Sequence, residues 1–144
     1  MIAPAPRLAL SDEDRISIER IEAFAQGGGQ SVGELAALLD DKSWAVRRAV
    51  VDALARMGDP ALATLCDFLV TNRGSEGRIA ATVAALTASR GDVETAMLAL
   101  LETETAPAVL CDLTRVLGLR RSEAAAAMLG RLSSHDDDNV AVAA

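Results

Sequence analysis

Apolar residues recur along this chain three to four positions apart, in short runs separated by turn residues, which is the spacing of amphipathic helices. The first run carries Ile18, Ile21 and Ala25, with Ile16 and Phe24 widening the stripe. Ser11 announces it as an N-cap, Asp12, Glu13 and Asp14 suit the positive end of its dipole, and Gly27-Gly28-Gly29 stops it. Ser31 and Glu34 form a capping-box pattern for the next helix, whose apolar face is Leu35, Leu38 and Leu39. After a turn at Asp40 to Ser43 the pattern predicts a helix over Trp44–Met57, burying Val46, Ala49, Val50, Ala53, Leu54 and Met57. Gly58 ends it. Asp59 and Pro60 restart the chain as an N-cap acid followed by proline at the first helical position.

The same unit then returns. Ala61 to Val70 carries Leu62, Leu65, Phe68 and Leu69, Asn72 to Ser75 turns, and Ile79, Val83 and Leu86 mark the following helix up to Gly91-Asp92. A third unit runs through Met97, Leu98 and Leu101, reopens at Thr105-Ala106-Pro107, and carries Val109, Leu113 and Val116 to near Gly118. Ser122 caps a helix with Met128, Leu129 and Leu132, and another begins at Val140. Overlaying the second helices aligns Val46, Ile79, Val109 and Val140, at intervals of 33, 30 and 31 residues. The first helices align independently, Leu39, Leu69, Leu101 and Leu132 falling at intervals of 30, 32 and 31. Two helices per unit at this period are the signature of an α-solenoid. The expected organisation is a flexible leader over 1–10, a capping helix over 11–29, and repeats over about 31–58, 59–91, 92–121 and 122–144.

Composition supports this reading. Alanine (29) and leucine (19) make up a third of the 144 residues, and both lose little on entering a helix. Aromatics are 2% of the chain, which argues against a β-sandwich or barrel, and the 51% hydrophobic content argues against disorder. The formal net charge of −7 disfavours nucleic acid and anionic membrane surfaces as partners. No apolar stretch approaches the roughly 20 residues of a membrane-spanning helix. The Met1 to Pro6 segment lacks the basic start and apolar run of a signal peptide, so the expected compartment is the cytosol. Cys66 and Cys111, each among apolar helical positions, read as small buried thiols rather than a redox pair.

Material for catalysis or metal binding is sparse. His135, the sole histidine, adjoins Asp136-Asp137-Asp138, but a loop acid there caps the next helix, and zinc needs several His or Cys ligands. Gly27-Gly28-Gly29 has no preceding strand and no Lys-Ser/Thr after it, so it is a helix stop and not a phosphate loop. No cofactor is expected. Trp44 lies off the Val46/Val50 stripe, and either covers the neighbouring unit or stands out as a binding anchor.

The run from Asp41 to Leu62 resembles the HEAT repeat, and most of all the short bacterial form also found in phycobilin lyases. An acid (Asp41), then Val46-Arg47, Ala49, Ala53-Leu54 and Gly58-Asp59-Pro60 stand in the family's order. The pattern weakens later: Arg78 precedes its aliphatic residue, Leu110 and Ala141 occupy the arginine position, and the resemblance extends over about Ser31 to Ala144. It implies an all-α, right-handed solenoid of antiparallel hairpins. It implies that Asp41 and Arg47 belong to a ladder of charges between neighbouring repeats, Arg47 being either structural or a partner contact. It also implies that the second helices line a concave surface. Trp44, Arg47, Arg48, Val51, Asp52, Arg78, Asp112 and Arg115 are then the candidate contacts with a protein partner.

The expected function is therefore a non-enzymatic scaffold or adaptor that binds another protein. Alternatives are a lyase-type subunit similar to phycobilin lyases and a regulatory module of a larger signalling protein. A HEAT-like DNA glycosylase would need a basic groove with aromatics, which the composition opposes. Val140 to Ala144 is barely more than one helical turn, so the chain reads as the N-terminal part of a longer array. Its last hairpin would then be open to end-to-end self-association.

Overall fold

The computed structural model describes residues 9–144, so the expected leader lies almost wholly outside the described residues. Nine α-helices and no strand occur among them. They are α1 (Asp12–Gln26), α2 (Val32–Ala37), α3 (Trp44–Met57), α4 (Asp59–Val70), α5 (Glu76–Ala88), α6 (Val93–Thr103), α7 (Pro107–Leu119), α8 (Ala126–Leu132) and α9 (Asp138–Ala143). Local capping sets several of the starts. The hydroxyls of Ser11, Ser43 and Ser75 accept from the N–H groups of Asp14, Val46 and Arg78, and the Asp92 carboxylate accepts from Thr95.

The helices stack in two layers. α1, α3, α5, α7 and α9 pack each against the next, and α2, α4 and α6 form the second layer. Within a hairpin α2 meets α3, α4 meets α5 and α6 meets α7. That is an α-solenoid, in which each unit buries its apolar face only against its neighbours. The core follows the repeat period: Leu39, Leu69 and Leu101 are buried, as are Val46, Val109 and Val140, with Ile79 and Leu132 half-buried.

Four local expectations are corrected. Ser31 makes no side-chain cap. Gly28–Ser31 tightens into a 3₁₀ turn, and Ser31 takes helical dihedrals that no longer aim its hydroxyl at the first turn of α2. Asp59 is not the N-cap of α4, which is Gly58 at φ 68°; its carboxylate instead accepts from the Asp92 N–H at 2.8 Å, in the turn of the next repeat. Ser122 is not the N-cap of α8, which is Ala125; its hydroxyl accepts from the Ala125 N–H in the turn before the helix. Helix α1 lies at the end of the layer of second helices, burying Ile21 completely and packing on α3.

The turns that follow α3, α5 and α7 stack on one another. The Arg90 N–H donates to the Ala55 carbonyl at 3.1 Å. Gly91 sits so close to the preceding turn that an added Cβ would lie 2.8 Å from the Asp59 nitrogen and 2.9 Å from the Gly58 carbonyl carbon. Arg120 reaches back from α7 and donates to the carbonyls of Leu86, Thr87 and Ser89, satisfying groups that the end of α5 leaves open.

Candidate functional site

The α1–α3–α5–α7 layer has an outer face on which successive helices are separated by open clefts. Side chains on that face follow helical spacing: Trp44, Arg47, Arg48 and Val51 lie at i, i+3, i+4 and i+7, so α3 presents them along one side. With Gly77, Ala80, Ala81 and Ala84 of α5 they line a cleft of about 300 Å³. Trp44 stands at its rim, 70% exposed, while Val51 forms part of its buried floor. Arg48 is exposed and pairs loosely with Asp52, Nε to Oδ1 at 3.5 Å. Asp52 itself turns into a second cleft, of about 540 Å³, shared with Glu22, Arg56 and Arg90. Asp112 and Arg115 line a third, of about 360 Å³, between α5 and α7. The structure thus gathers four of the eight candidate residues in one cleft and distributes three others over its two neighbours.

Arg78 lies apart from all three. At the third position of α5 it turns inward, and its guanidinium carbon sits 3.5 Å from the centroid of the Phe68 ring. Its Nη1 is 3.7 Å from the Asp40 carboxylate of the preceding repeat, which also accepts from the Ser75 hydroxyl. Arg78 is therefore a staple between repeats.

Arg47 also departs from expectation. Its Nη1 donates to the backbone carbonyls of Asp41 (2.5 Å) and Lys42 (3.1 Å), within its own repeat. The Asp41 carboxylate accepts from the Ser43 N–H at 2.8 Å and thereby sets the turn that leads into α3. The charge contacts between repeats are others: Arg56 with Glu22 at 2.8 Å, Arg73 with Asp112 at 2.6 Å, and Arg78 with Asp40. Arg56, Arg73 and Glu22 were missed from sequence. Their one sequence signal is separation: Arg56 and Glu22 are 34 residues apart, near the repeat period, while Arg73 and Asp112, at 39, exceed it.

Elsewhere, the His135 Nδ1 accepts from the Asp137 N–H, and the Asp137 carboxylate caps α9 through the N–H groups of Asn139 and Val140. No group of three or more His, Cys, Asp or Glu among the described residues is placed to hold a metal ion. Cys66 and Cys111 are both free thiols, half-buried where the sequence pattern had them buried. Burial pushes the Cys66 thiol above its ordinary value; desolvation, then the Asp137 and Asp112 carboxylates, raise that of Cys111. Both are weakly nucleophilic at neutral pH.

Two stacked helical layers with a 30-odd-residue period now meet a direct comparison: the sequence pattern of HEAT repeats matches residues 7–87, rather more than half of the chain. The chain belongs to the HEAT repeat family. No match was found among curated proteins or among solved structures. The HEAT match starts ahead of α1 and runs through α5, so it takes in the helix that the sequence pattern set aside as a cap, in keeping with the place of α1 in the second-helix layer. HEAT repeats are generally protein-interaction scaffolds and generally non-catalytic. No helix among the described residues of this HEAT protein is long and apolar enough to cross a membrane.

Proposed function

We propose that this HEAT protein is a scaffold without chemistry of its own, and that it holds another protein against the outer face of α3, α5 and α7. The observation that carries this reading is Trp44. It is the chain's sole tryptophan, in a sequence with 2% aromatics, and it stands in solvent beside a cleft when it could have been buried. A large rigid aromatic at the edge of a groove is the usual anchor of a protein interface. Two free thiols fit a reducing compartment, and we place the protein in the cytosol.

Affinity capture tests the reading. Immobilised wild-type chain is compared with Trp44→Ala and Ala84→Gln, and what each retains is identified by mass spectrometry. A stoichiometric partner held by the wild type and lost by both variants is the expected result. A partner held equally by all three, or no stoichiometric partner at all, overturns it.

A further inference from the structure

We propose that the cleft between α3 and α5 seats an acidic amphipathic helix of the partner protein. This rests on the outer face being a docking surface and adds the chemistry of the occupant. Charge is the first ground. The chain has 21 acidic against 14 basic residues, yet no carboxylate lines this cleft, and its charged groups are the guanidiniums of Arg47 and Arg48. Each flanking cleft balances two carboxylates against two guanidiniums. A local excess of positive charge on a chain of net charge −7 selects for an acidic partner segment and orients it on approach. Arg48 is the freer of the two cations, since its side chain is 64% exposed and its contact with Asp52 is loose.

Backbone chemistry is the second ground. The cleft walls are helices whose peptide groups are already bonded within the helix, so there is no strand edge to satisfy an extended peptide. An occupant that brings its backbone already satisfied, as a helix does, suits these walls best. The α5 residues that line the cleft, Gly77, Ala80, Ala81 and Ala84, carry no side chain longer than a methyl group, so an incoming helix can lie at the short end of the usual axis separation of about 8–10 Å. The Trp44 indole at the rim then covers one apolar residue of the occupant, and its Glu or Asp side chains reach Arg48.

The test uses the whole chain and a displayed library of helix-forming peptides of about 18 residues, some five turns. Apolar positions are fixed at helical spacing and flanking positions are randomised. Because Trp44 is the sole tryptophan and the chain has no tyrosine, its emission reports directly on the cleft. The enriched peptides are expected to carry net negative charge, to shift Trp44 emission to the blue, and to bind more weakly as salt rises. Arg48→Glu is expected to weaken binding by about tenfold or more, and Ala84→Gln, an exposed helical position, to remove it with circular dichroism unchanged. A neutral or basic pool, a pool indifferent to Arg48→Glu, or no enrichment overturns the proposal. So does a single-stranded oligonucleotide that displaces the peptides from Trp44. If the selection fails while capture still returns a Trp44-dependent partner, the acidic helix is lost and the docking face stands; if both fail, both are lost.

Discussion

Arg121 ends α7 in the left-handed region at φ 54°, where its own N–H bonds the Gly118 carbonyl and the Ser122 N–H bonds that of Leu117. That is a Schellman closure, whose left-handed position favours glycine. Arg121→Gly is expected to stabilise the fold by about 1 kcal/mol, read as a rise in thermal midpoint. Gly91→Ala should act in the opposite sense by about 2–3 kcal/mol, because its Cβ would press on the backbone of Gly58 and Asp59, which cannot swing aside. The two thiols give a pH signature. Their raised values lower the thiolate fraction below that of an ordinary thiol, so thiol-specific reagents should modify the native chain more slowly than the unfolded one. Because folding favours the protonated form, their contribution to stability is complete below the ordinary thiol value of 9.0 and declines as pH rises through the raised folded values. At this scale the sequence was readable at Ser11, which caps α1 as expected, whereas Ser43 and Ser75, read only as turn residues, also cap groups three residues ahead, and Ser31, read as a cap, does not. Asp59 was misread because its partner, the Asp92 N–H, is 33 residues away and competes with the local cap.

Helix α3 runs from Trp44 to Met57 as its apolar spacing predicts, since a serine cap fixes its start and a glycine at positive φ its end. The layer that α1 joins was not legible. The acidic first turn of α1 looks like a cap at either edge of an array, and only packing shows that the helix continues the α3–α5–α7 layer. The arginines divide in the same way. Arg78 and Arg48 sit on neighbouring helices, Arg78 one position before Ile79 and Arg48 two positions after the aligned Val46. Burial against Phe68 and Asp40 makes Arg78 a contact between elements, so Arg78→Met should cost about 1–2 kcal/mol in chemical denaturation. Arg48→Ala, at an exposed pair, should change stability by less than about 0.5 kcal/mol. Equal effects at the two positions would contradict this division.

At the scale of the molecule, stability is a sum of nearest-neighbour contacts and should vary along the stack. Helices α3, α5 and α7 are packed on both sides within their layer, whereas α8 buries no residue and α9 buries Val140 alone. Native-state hydrogen exchange should therefore be slowest in α3, α5 and α7 and fastest in α8 and α9; uniform protection would mean a single cooperative core instead. The period was plain in the sequence because every unit must bury the same face. The contacts that lock units together were not, because they join residues a full repeat apart. The gathering of Trp44, Arg47, Arg48 and Val51 was legible because one helix carries them all, whereas the α5 wall is written in alanines that look like core. Hydroxyl-radical footprinting of the chain with its captured partner tests the docking face most directly. Trp44 should be protected in the complex, while Val142 on α9 and Ile16 on α1, both exposed in the free chain, should label as before. Labelling of Trp44 at the same rate in the free and bound chain would contradict a partner seated on this face.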